Sequence, residues 1–130
     1  MPNDTVIPTV GGTKTKTKVV GYRTINGKRF SVEEIDKKVK GGWVGLNKHA
    51  AKALKLPTNL KYNEVVTVKD GKKRWNRRTV HHELIEQHAM RYGGLSYPEA
   101  HKLSLKFEDK YNVTPAEALK WHKSQKRKSR

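Results

Sequence analysis

Arg78-Thr79-Val80-His81-His82-Glu83-Leu84-Ile85-Glu86-Gln87-His88-Ala89-Met90-Arg91-Tyr92, closed by Gly93-Gly94, is the stretch on which the reading of this chain turns. It contains no Pro or Gly until the terminal pair, and Ile85 and Ala89 flank His82 and Glu86 on one helical face. This predicts a helix A over 78–92. Ser96 as cap, Pro98 near the first turn and Glu99 announce a helix B over 97–111. Thr114-Pro115-Ala116-Glu117 is a capping box with Pro at the first helical position and starts a helix C over 115–124. The link from Gly93 to Ser96 is short enough to force helices A and B into an antiparallel hairpin.

That hairpin gathers chemistry. Four of the six histidines (81, 82, 88 and 101) lie in or beside it, interleaved with acids. At roughly 100° per residue, His82 and Glu86 share a face of helix A, and His101 and Glu108 nearly coincide on helix B. Counting outward from the turn, His82 comes level with Glu108 and Glu86 with His101. Two imidazoles and two carboxylates thus converge between facing helices, an arrangement by which helical bundles hold metals. The set suits Zn²⁺ or another divalent ion. The alternative is two hydrogen-bonded polar pairs tying the helices together, with Glu83 a surface acid and no cofactor. His81 and His88 share a different face.

The sequence His82-Glu83-Leu84-Ile85-Glu86 resembles the H-E-x-x-H motif of zincin metallohydrolases, with Glu86 standing where that family has its second histidine. The resemblance covers residues 82–108. It implies His82 as a metal ligand and Glu83 as the base that deprotonates a metal-bound water. Glu86 becomes an oxygen ligand, and His101 or Glu108 completes the shell.

The preceding chain reads as β-rich, which makes the fold α+β with a mostly helical second half. Val19 to Ile25 is strand-like, and Asn26-Gly27 is a strong hairpin signal with a short return through Arg29 and Phe30. Ser31 and Glu34 have capping-box spacing, and Phe30 and Ile35 that of a hydrophobic staple; they predict a helix to about Lys40, ended by Gly41-Gly42. Asn47 is a cap for a second short helix over 48–56, stopped by Pro57, and 62–69 reads as a strand. Residues 1–18 are expected as a flexible basic arm, 19–124 as one globular domain and 125–130 as a basic tail.

Charge indicates the partner. Lys and Arg number 29 against 12 acids, a formal charge of +17 on 130 residues. Self-repulsion of that size is relieved by a polyanion, and nucleic acid, DNA or RNA, is the commonest. The expected contacts are Lys14, Lys16 and Lys18 in the arm, then Lys72, Lys73, Arg74, Trp75, Arg77 and Arg78, and Lys126, Arg127, Lys128 and Arg130 in the tail. Cations around Trp75 suit a single strand, whose bases stack on a ring. No run is long and apolar enough for a membrane span, no signal peptide opens the chain, and no cysteine is present. The cytoplasm is the expected compartment, or virion and host cytoplasm if the size and basicity reflect a viral or mobile-element origin. Three readings follow: a metal-dependent hydrolase acting on nucleic acid or another polyanion, a non-catalytic nucleic-acid-binding protein, and a zincin-like peptidase.

Overall fold

Ten elements follow one another along the described residues: β1 (Val6–Pro8), β2 (Lys14–Lys16), β3 (Lys18–Ile25), β4 (Lys28–Ile35), β5 (Gly45–Asn47), α1 (Lys48–Ala53), β6 (Glu64–Val68), α2 (Arg77–Gly93), α3 (Tyr97–Phe107) and α4 (Pro115–Lys128). The structure is a computed structural model that describes residues 5–10, 14–25, 27–36, 38–40, 43–68 and 77–128, with side chains to Gln125. The fold is α+β, with strands first and the three long helices last.

The main sheet has the order β3-β4-β6-β5. β3 and β4 form the expected hairpin, Ile25 pairing Lys28 across Gly27, which adopts φ +76°. β4 runs parallel to β6, and β5 closes the far edge antiparallel to β6. The side chains of β5 alternate. Leu46 joins Ile35, Val66, Ile7 and Leu60 in a core on one face of the sheet. Gly45 and Asn47 point to the other face, where Val32 and Val65 meet Val80 and Leu84 of α2.

α2 is the central helix. It lies on the sheet on one side and packs on α3 and α4 on the other, through Ile85, Ala89, Ala100, Leu103, Phe107, Ala118 and Leu119. Eight of its residues are buried, including His82, Glu83, Glu86 and Gln87. Gly94, at φ +66°, turns the chain out of α2, and the Ser96–Glu99 capping box starts α3. The Thr114–Glu117 box is formed too, each backbone N–H donating to the other residue's side chain at 3.1 Å.

Four expectations are corrected. The helix predicted from Ser31 is instead the C-terminal half of β4. Ser31 donates to the Glu33 carboxylate, and the backbone pairs with β3 and β6, partners that a local capping pattern does not reveal. The arm expected over 1–18 contributes β1 and β2, and Ile7 has no exposed surface. β1 is held by Asn59 and Thr58 at Val6 and by Lys40 at Pro8. α3 stops at Phe107 rather than 111, with Glu108 as its C-cap, and α4 continues to Lys128, four residues past its predicted end at 124. Gly41-Gly42 and Asn26 lie outside the described residues.

Candidate metal centre

α2 and α3 meet as the helical count predicts: Glu86 Oε2 lies 3.1 Å from His101 Nδ1 and 3.1 Å from His82 Nε2, and those two nitrogens are 3.2 Å apart. Three donors from three side chains therefore form a nearly equilateral triangle. Zinc bound tetrahedrally at about 2.0–2.1 Å requires donors about 3.3 Å apart. The observed edges match one face of that tetrahedron, and two imidazoles with one carboxylate are a donor set zinc accepts.

Glu108, expected as a fourth ligand, stands behind the triangle. Its Oε2 is 2.8 Å from His82 Nδ1, the ring nitrogen opposite the donor one. Its Oε1 accepts two hydrogen bonds from Arg78, from Nε at 2.9 Å and from a terminal nitrogen at 2.7 Å. A carboxylate on the far nitrogen of an imidazole sets its tautomer and leaves the near nitrogen as a lone-pair donor. Ser104 on α3 donates to the His82 carbonyl at 2.8 Å, fastening the two helices at that level.

Glu83 is no surface acid. It is 4% exposed and abuts Gly45, where an added Cβ would come within 2.7 Å of Glu83 Oε2. Asn47, completely buried, donates from Nδ2 to Glu83 Oε1 at 2.9 Å and to Glu86 Oε1 at 3.1 Å. Burial, then the charge of Glu86, pushes the Glu83 pKa up to about 8. Burial drives His82 toward its neutral form, but Glu86, Glu83 and Glu108 outweigh it and hold its pKa up to about 9. Without an ion, an imidazolium at His82 is thus the positive charge that this knot of acids encloses.

The site opens to a cleft of about 460 Å³. His82, Glu83, His101 and Glu108 line it from the helices, and Trp43, Val44 and Gly45 from the edge of the sheet. Tyr97 forms another wall; burial, Glu86 and Glu83 push its phenol up to about 12, so it is a hydroxyl donor at neutral pH. Asn47, Gly45 and Tyr97 escape a reading by motif. The one local signal was the Asn47 helix cap, which is real, its Oδ1 accepting from Ala50 N at 2.9 Å.

Five of the expected nucleic-acid contacts have described side chains. Lys14, Lys16, Lys18 and Arg77 are exposed, and Arg77 stacks 4.0 Å from the Tyr111 ring. Arg78 is committed to Glu108. Lys72, Lys73, Arg74, Trp75 and Arg130, and the side chains of Lys126, Arg127 and Lys128, lie outside the described residues. His81 bonds to the Lys110 carbonyl and His88 packs on Tyr92, so neither joins the centre. No helix among the described residues is long and apolar enough to cross a membrane.

No known protein family, curated protein or solved structure matches the chain. The site therefore stands on its own geometry: His82, Glu86 and His101 form a group able to hold a metal ion.

Proposed function

We propose that this protein is a small metal-dependent hydrolase, with a divalent ion, zinc foremost, held by His82, Glu86 and His101. The observation that carries the reading is the three-donor triangle beside a cleft that Glu83 also lines. A bound zinc ion supplies Lewis acidity and lowers the pKa of its water toward neutrality. Among the described residues, Glu83 is the carboxylate beside the ligands that neither joins the triangle nor serves His82 from behind; with a cation bound to favour its ionised form, it would be the group that accepts a proton. The Tyr97 hydroxyl donates to negative charge developing on the substrate. Arg78 and Glu108 orient His82. With a net charge of +17, a nucleic acid or another polyanion is the substrate proposed first.

The test is elemental analysis of protein purified without chelator. We expect about one equivalent of zinc or another divalent ion, lost in H82A and retained in K123A. Glu83→Gln keeps the ion and loses hydrolysis of labelled RNA or DNA. Metal-free protein whose melting temperature is unmoved by added zinc overturns the reading.

One observation favours a second reading, a nucleic-acid-binding protein whose His/Glu cluster is structural. Arg91 lies 4.6 Å from the Tyr62 ring and 5.5 Å from that of Tyr92, with Lys48 5.1 Å from the first and Lys28 5.2 Å from the second. Both tyrosines are exposed, and aromatic faces alternating with cations suit a single strand. This reading requires salt-dependent oligonucleotide binding that survives H82A and H101A; absence of binding at roughly 50 mM salt eliminates it.

A further inference from the structure

Two acids one turn apart on α2, Glu83 and Glu86, have opposite tasks in a metal-dependent site, although chemically they are the same residue. A site with two equivalent carboxylates beside one ion can use them differently. Glu86 can chelate through both oxygens, or Glu83 can enter the shell and cease to be a base. Something must sort them.

We propose that Asn47 is the positioning residue that does so, an inference that rests on the metal-dependent reading. Its amide cannot turn. Oδ1 is held by the N–H of Ala50 as the cap of α1, so Nδ2 must face α2. The two hydrogens of Nδ2 then go to Oε1 of Glu83 and Oε1 of Glu86, at 2.9 and 3.1 Å. Occupying Oε1 of Glu86 leaves only Oε2 for the triangle, which is the oxygen found 3.1 Å from both histidines. Glu86 is thereby a one-oxygen ligand. Occupying Oε1 of Glu83 draws that carboxylate toward β5, with Oε2 against Gly45 and the residue lining the cleft. Asn is the side chain that suits this position. It must accept at one end and donate twice at the other, which Asp, Ser and Thr cannot do and still cap the helix. The cap also explains why the amide is rigid: turning it over would break the start of α1 and place an oxygen against two carboxylates.

The experiment substitutes cobalt for zinc and reads the visible spectrum of wild type and Asn47→Ser. Serine caps a helix as well as asparagine does, so α1 keeps its first turn, but both donors to the acids are lost. Wild-type protein, with three protein ligands and a water, should show the strong visible absorption of four-coordinate cobalt. In N47S the freed Glu86 oxygen, or Glu83, enters the shell, and the absorption should fall by about half or more as the coordination number rises. Asn47→Thr, which also caps, should show the same loss. An unchanged cobalt spectrum in either folded variant overturns the role of Asn47 while leaving the metal site intact. Failure of wild-type protein to take up cobalt or zinc overturns both.

Discussion

Glu108 stands 2.8 Å behind His82, on the ring nitrogen that faces away from the metal triangle. A residue expected in the coordination shell is thus one step removed from it, and Arg78 is one step further. The three form a chain of charge-assisted hydrogen bonds that runs from the exposed Arg78 through Glu108, at the end of α3, to the buried His82, one turn further along α2.

Glu108→Ala should weaken zinc binding by about 10–100-fold, the usual loss for an outer-shell partner. Arg78 is largely exposed, so R78A should cost less than about tenfold, since solvent screens what it contributes. Competition against a chromophoric chelator measures both. An R78A loss equal to that of E108A means that the guanidinium is needed to hold the carboxylate in place.

Gly45 permits the close approach of β5 and α2. A Cβ there would lie 2.7 Å from Glu83 Oε2 and 2.7 Å from Thr79 Cγ2. Gly45→Ala should therefore destabilise the fold by about 1–3 kcal/mol through overpacking. A urea melt reads the change, and an unaltered midpoint would mean that α2 can shift away from the sheet without cost.

Ile7 belongs to the core although it lies in a segment whose composition reads as an arm. Ile7→Ala should cost about 2–4 kcal/mol, like other large-to-small changes at fully buried sites. A loss below about 0.5 kcal/mol, typical of exposed positions, would show that β1 and β2 are not part of the cooperative unit.

Glu33 makes stability depend on pH independently of the metal centre. Burial, then its hydrogen bond with Glu64, raises its pKa from 4.5 to about 7, against the opposing effect of Thr17 and Ser31. Between those values the unfolded chain has released a proton that the native protein keeps, so stability falls as pH rises from 4.5 through 7. Glu33→Gln should remove this slope and be more stable than wild type at about pH 8. The difference between wild-type and E33Q urea midpoints across that range isolates it; parallel curves would show that Glu33 is ionised in both states.

The sequence by itself determined what depends on neighbours within a few residues. The two capping boxes, Ser96 with Glu99 and Thr114 with Glu117, set the starts of α3 and α4. Asn47 set the start of α1, and Gly27 the β3–β4 turn. The meeting of His82 with Glu108 and of Glu86 with His101 was legible too, because helical periodicity and a four-residue link leave two helices little freedom. What only the tertiary structure decided involves partners far away in the chain. Ser31 to Ile35 carries a helix-start pattern yet is a strand, because β3 and β6 offer its backbone hydrogen bonds on both sides. Glu83 is buried because β5 lies over it, and Asn47 reaches it across 36 residues. One amide serves a local cap at Oδ1 and a remote pair of acids at Nδ2. The first of these bonds is written in the adjacent residues; the second exists only once the sheet has packed against α2.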